Sequence, residues 1–325
     1  MKLMMNFTTN DFDAGRYSCN ADLINFYNEF SLDGVELMQG VNELEGIALP
    51  GDVVGVHLRY FTSWMDLWLG DIKRLHSEYG DNETVEEIYG GSTKGALTAA
   101  FKDNLDFASK YNPEYLVYHV SECQLSESML RCYHYNSKQV AAETAKLVDS
   151  FAQSIPKDVW FLYENLWYPG LDMLDVDLAY RLIGATVYRK TGIMLDIGHL
   201  MNTNISLRGV DEGVDYIHSV LDTYPDLSII KGIHLHLSLS GEYAQNLMAS
   251  WIPGPGSYKE RRSALMRHIY NIDNHVPFPS RRINEIIERI NPLYLTLEFM
   301  SIDRLAHSRL LKEQISYLNT AVFSS

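Results

Sequence analysis

Cysteine is scarce in this chain. Cys19, Cys123 and Cys132 are the only three in 325 residues, and no two form a C-x-x-C pair. An odd and sparse count argues against a disulfide framework and fits a reducing compartment. Positive charge is also short. Lys and Arg number 27 against 42 Asp and Glu, a formal net charge of −15. An acidic surface repels phosphate backbones, so nucleic acid is a disfavoured partner and a small-molecule substrate the favoured one; a local basic patch is still allowed. No apolar run approaches the roughly 18 residues needed to span a membrane. The opening MKLMMNFTTNDF carries one Lys and an apolar run too short for a secretory signal. A soluble, cytoplasmic protein is expected. No low-complexity linker or composition break divides the chain, so residues 1–325 are expected to form one domain. The sequence leaves the oligomeric state open.

What the chain does have is a repeated unit: a short apolar strand, a polar loop, then an amphipathic helix. Strands are expected at 3–7, 34–37, 53–58, 115–120, 159–163, 192–196, 229–237 and 292–299. Most are near-continuous apolar runs, as in parallel strands buried on both faces. Helices are expected at 21–30, 94–110, 137–154, 175–191, 210–224, 257–270, 281–290 and 302–319. About eight strand–helix alternations predict a single α/β domain, a closed (β/α)8 TIM barrel. The alternative, a doubly wound open sheet, lacks a G-x-G-x-x-G after the first strand.

In such a barrel the active site sits at the C-terminal ends of the strands. VVGVHLRYF delivers His57 there, YLVYHVSE His119, and VWFLYENLW Glu164. GIMLDIGHL delivers Asp196 with His199 three residues on, IIKGIHLHLS delivers His234 and His236, and LYLTLEFMS delivers Glu298. A lone strand-end His is more often structural than a ligand. Glu164 and Glu298 carry more weight, because an unpaired carboxylate ending an apolar strand is costly to bury. Carboxylates converging on one mouth repel unless cations sit among them. Asp273 and His275 form a D-x-H pair in NIDNHVPFPS, on a loop expected at the same mouth. His76, His134, His218, His268 and His307 lack matching partners and read as structural or exposed. Arg59, Arg261, Arg262, Arg281 and Arg282 are anion-binding candidates that a solvated surface also explains. Tyr60, Phe61, Trp64, Trp68, Trp167 and Tyr168 wall a substrate pocket or pack the barrel's upper edge. WIPGPGSY, residues 251–258, is a candidate lid or a plain connection. The loops 61–91, 121–137 and 240–258 are expected to shape the pocket.

The order His57, His119, Glu164-Asn165, Asp196-x-x-His199, His234-Leu235, Asp273-x-His275, Glu298 resembles the xylose-isomerase-like TIM barrels, and among them the apurinic/apyrimidinic endonuclease branch, endonuclease IV-like. The resemblance runs from about His57 to Glu298. It implies up to three zinc ions, with manganese or iron as substitutes. It implies His57, His119 and Glu164 on a first metal. Glu164 would bridge to a second metal, also held by Asp196, His234 and Glu298. His199, Asp273 and His275 would hold the third. On strand 7 His236 is the alternative ligand, because it shares a face with His234. The family usually has an Asp where Leu237 stands.

The chemistry this implies is hydrolysis of a phosphoester or phosphodiester, with Glu164, Glu298 and His236 as candidate catalytic residues. A small phosphorylated metabolite or cofactor is expected at least as much as damaged DNA. The alternative is a single-metal sugar isomerase or epimerase using Glu164, Asp196, His234 and Glu298, with His199 binding substrate. A non-catalytic sugar-binding barrel is a third possibility.

Overall fold

The structure, a computed structural model, describes residues 1–251 and 256–319. Its centre is eight strands: β1 (Lys2–Thr8), β2 (Gly34–Met38), β3 (Val53–His57), β4 (Tyr115–His119), β5 (Trp160–Glu164), β6 (Thr191–Asp196), β7 (Ile230–Leu235) and β8 (Tyr294–Leu297). They close into a barrel in sequence order. Every neighbouring pair is parallel, including β1 with β8. The apolar runs therefore form strands for the expected reason: one face fills the barrel and the other meets the surrounding helices.

Met4, Val54, Tyr115, Val117, Leu162, Met194 and Tyr294 pack together inside the barrel. They plug its lower part and leave the C-terminal end to polar groups. A second and larger apolar layer lies between the barrel and the helices.

The helix expected over 175–191 is shorter, Val176–Ala185. Thr186 is extended and ends it. Val187 N–H then donates to Asp149, and the Tyr188 hydroxyl is held by Pro156 and Val159 carbonyls, which pulls the chain straight into β6. The segment 61–91, expected as loop, contains helices Met65–Leu69, Ile72–Tyr79 and Asn82–Tyr89. Asp71 and Asp81 cap the latter two, and Gly70, Gly80 and Gly90 end the three at positive φ.

Two further helical segments rise above the C-terminal end. Leu125–Leu130 follows β4. Gly241–Ser250 and Tyr258–Ile272 follow β7. The β4 segment packs on both β7 helices. Leu125, Met129 and Leu265 form their apolar joint, with Leu247, Trp251, Ala264 and Ile269 against it. Because β4 and β7 are three strands apart around the barrel, this joint roofs part of the mouth. Residues 252–255 of the candidate lid lie outside the described residues. No helix among the described residues is long and apolar enough to cross a membrane.

Candidate metal centre

His57, His119, Glu164 and Asp196 are the last residues of β3, β4, β5 and β6. His236 and Glu298 stand one residue beyond β7 and β8. The nine residues expected as ligands converge there, and His236 joins them. Their donor atoms fall into overlapping groups whose members lie within 4.8 Å of one another: His57, His119 and Glu164; Glu164, Asp196 and His234; Asp196, His236 and Glu298; His199, His236, Asp273 and His275.

In the first group His57 Nε2 and His119 Nε2 lie 3.0 and 2.9 Å from Glu164 Oε2. In the next, His234 Nδ1 lies 3.2 Å from Glu164 Oε1, 3.8 Å from Asp196 Oδ2 and 3.1 Å from Glu298 Oε2. In the group around Asp273, its Oδ2 is 3.2 Å from His199 Nε2 and 2.7 Å from His275 Nε2. His236 Nε2 is 2.9 Å from Asp196 Oδ2. Ligand atoms about 2.0–2.2 Å from one zinc ion stand roughly 3.3 Å from each other in a tetrahedron. The observed separations suit that coordination edge, so the donor set fits divalent ions by geometry as well as by chemistry.

The sequence around each donor explains its placement. Asn165 Oδ1 accepts from the Asp196 amide and its Nδ2 donates to the Asp196 carbonyl, which clamps the ends of β5 and β6 together. Gly198 in LDIGH leaves room for an imidazole: a Cβ there would lie 2.0 Å from the His236 ring. The helix Tyr258–Ile272 ends at Asp273, and the Leu237 amide donates to the Val276 carbonyl, so the chain after β7 returns to the mouth with His275.

Remote ring nitrogens are anchored as they are in metal-ligating histidines. His57 Nδ1–H donates to the Leu58 carbonyl, His199 Nδ1–H to that of Asn165, and His275 Nδ1–H to that of Glu298. Each leaves Nε2 turned to a carboxylate. Among the described residues His119 Nδ1 has no hydrogen-bond partner.

The cluster is deeply buried, with His119 and Glu298 its more accessible members. Burial alone would drive its carboxylates toward the neutral form. The histidines beside them prevail, and Glu164 and Asp273 are held well below the usual carboxylate range. Burial disfavours charge on the imidazoles too, yet the Asp196 and Asp273 carboxylates raise His199 well above its ordinary value. His275 is raised to about 9, against burial, chiefly by Asp273. His119 goes the other way, lowered by burial. The site thus attracts positive charge strongly.

Aromatic groups close over these donors. Tyr60 sits edge-on to His119 with centroids 4.5 Å apart, and Trp167 edge-on to His199 at 5.2 Å. Trp167 and Tyr168 pack with Cys123, Leu166 and Ile272 of the roof. A recess of about 10 Å³ lies beside His119, lined by Arg59, Tyr60 and Phe61. A far roomier groove, about 370 Å³, lies on the outer flank between Lys138 and Ala185 and touches no donor.

The arginines read as anion-binding candidates are mostly engaged elsewhere. Arg282 pairs with Asp211, Asp215 and Glu285, Arg281 donates to the Ser316 carbonyl, and Arg261 to that of Glu78. Sequence reasoning missed Glu36, a buried carboxylate within β2 whose oxygens lie 3.0 Å from His234 Nε2. The signal was there: a Glu inside the apolar run GVELM.

No family model matches the chain, and no curated protein matches it. Several solved structures share its fold. They include AsfvAP:AG (12% identity, 97% of each chain, TM-score 0.50). Endonuclease IV from Thermus thermophilus aligns at 12% identity over 98% of each chain with a TM-score of 0.49. L-ribulose 3-epimerase aligns at 11% identity over 96% of this chain and 92% of its own, with a TM-score of 0.48. At these identities the likeness is one of fold.

Proposed function

We propose that this chain is a multinuclear metal-dependent hydrolase of a phosphoester, acting on a small phosphorylated molecule. One observation carries the reading. His199, His236, Asp273 and His275 form a complete donor group apart from the one at Glu164, Asp196 and His234. A single-metal isomerase needs only one such group. Zinc suits the mixed imidazole and carboxylate donors, with manganese or iron as substitutes.

Divalent ions held there would supply Lewis acidity and positive charge toward the phosphoryl oxygens. The protein's own part is positional. Glu164, shared between the His57/His119 group and the Asp196/His234 group, fixes the spacing of the two. Glu298, one of the more accessible donors, orients the attacking water from the open side of the mouth. His236 lies between the Asp196/Glu298 pair and the Asp273/His275 pair and ties one to the other.

Shape and charge support a small substrate. The roof and the aromatic layer leave little room beside His119, and a net charge of −15 opposes a polyanion. The second reading, a single-metal sugar isomerase or epimerase, draws on Glu164 and Glu298, whose carboxylates both approach His234 Nδ1.

Elemental analysis of zinc-loaded protein separates the two. About three metals per chain supports the hydrolase, and one metal overturns it. Phosphoester and ketose panels then name the reaction.

A further inference from the structure

Beneath the donor groups lies a second polar layer inside the barrel. Glu36 is on β2, a strand that supplies no donor to the mouth. Its carboxylate is 3% exposed. Both oxygens lie 3.0 Å from His234 Nε2. Oε2 also accepts from the Tyr115 hydroxyl at 2.7 Å and from Thr296 Oγ1 at 3.0 Å. Tyr115 comes from β4 and Thr296 from β8, so three strands hold one carboxylate against one imidazole.

This arrangement needs a particular sequence. Tyr115 reaches Glu36 only by laying its ring across β3 at Gly55. A Cβ on Gly55 would lie 2.1 Å from the Tyr115 ring. Burial and the Glu36 charge push the Tyr115 hydroxyl well above its ordinary range, so it stays a donor. Glu36 therefore keeps its acceptor atoms turned toward Nε2.

We propose that Glu36 is a positioning residue, which takes the Nε2 proton of His234 in a hydrogen bond and so commits Nδ1 to the metal held with Glu164, Asp196 and Glu298. His234 is the exception among the anchored histidines. His57, His199 and His275 anchor Nδ1 on a backbone carbonyl and His236 on the Ser238 hydroxyl, all offering Nε2, whereas His234 is anchored through Nε2 on the Glu36 carboxylate and offers Nδ1. A carboxylate behind an imidazole fixes its tautomer and raises its strength as a ligand. The proposal rests on the metal-centre reading above.

The test uses zinc and the full chain. Zinc affinity is measured by chelator competition for wild type, Glu36→Leu, Glu36→Gln and Tyr115→Phe. The His234 tautomer is read by 15N NMR of histidine-labelled, zinc-loaded protein, its signals identified by their loss in His234→Gln. Wild type is expected to show a slowly exchanging Nε2 proton. Glu36→Leu should lose that proton and weaken the tightest affected zinc by about 10- to 100-fold. Glu36→Gln keeps an acceptor oxygen and should recover the tautomer and part of the affinity. Tyr115→Phe, remote from the metals, should weaken zinc by a smaller factor, and it serves if Glu36→Leu does not fold. A purely structural Glu36 would change melting temperature but neither tautomer nor zinc affinity, and that result overturns the proposal. Wild type that binds no zinc overturns the metal-centre reading itself, a distinct outcome.

Discussion

The imidazoles of His236 and His275 lie face to face, with centroids 4.0 Å apart and planes 14° from parallel. His236 Nε2 addresses Asp196 and His275 Nε2 addresses Asp273, so the stacked pair joins two donor groups. His275 holds this pose from a left-handed backbone, φ 46°. Removing either ring should then have unequal effects. His275→Ala should cost the ion nearest Asp273 only, lowering zinc content by about one per chain. His236→Ala should weaken that ion and its neighbour near Asp196, both by about 100-fold or more, since a ligand matters at least as much as the groups behind it. Metal content after dialysis against graded chelator distinguishes them. Equal losses in the two variants would show that His236 serves a single group.

Glu164 is the acceptor shared by His57, His119 and His234. Glu164→Gln keeps the shape and removes the charge. It is expected to lower zinc content by about two ions per chain and phosphoesterase activity by at least about 100-fold. Without the carboxylate, the neighbouring imidazoles also lose the charge that raises their proton affinity. Unchanged zinc content in Glu164→Gln would remove Glu164 from the centre.

The barrel was readable because its strands are continuous apolar runs ending in chemically distinctive residues. The same rule hid Glu36, which lies inside its strand rather than at the end where donors were sought. His234 and His236 could not be separated by pattern, since both face inward; the structure puts one deep against Glu36 and the other at the rim against Asp196. The roles of Gly55 and Gly198 were invisible for another reason. Each makes room for a ring from a distant part of the chain, Tyr115 and His236, and one-dimensional spacing carries no such information. The helices at 65–89 went unread in a stretch expected as loop, although Asp71 and Asp81 followed by Gly80 and Gly90 mark the ends of two of them.

His307, on the helix Arg304–Tyr317, is buried with neither ring nitrogen hydrogen-bonded among the described residues, and its ring lies 5.8 Å from that of Phe26. Burial, with Arg16 nearby, lowers its pKa from 6.5 to about 4. The unfolded chain therefore binds the proton more tightly between those values. Stability is full above pH 6.5 and is lost as pH falls toward 4, by up to about 3 kcal/mol from this group. His307→Leu removes the liability and two unsatisfied polar atoms. Its melting temperature should exceed wild type by several degrees more at pH 5 than at pH 7.5. A parallel offset at both values would mean that His307 does not titrate in the folded protein.

The roof joint of Leu125, Met129 and Leu265 is buried, but it holds together segments that belong to two separate loops. Truncating Leu265 removes packing worth about 2–5 kcal/mol in a fully rigid core. Here part of that loss can be taken locally, by opening the roof, without unfolding the barrel. Leu265→Ala is accordingly expected to raise amide hydrogen exchange in Leu125–Leu130, Gly241–Ser250 and Tyr258–Ile272, leaving exchange in β1–β8 near wild type. Because Tyr258–Ile272 runs directly into Asp273, the looser helix should also weaken zinc at the Asp273/His275 group while leaving the His57/His119/Glu164 group intact. An opened roof should admit bulkier phosphoesters and raise their hydrolysis relative to that of the smallest ones in fully zinc-loaded protein. If instead exchange rises evenly across the barrel strands, the three helices belong to the global folding unit and do not act as a separable cover.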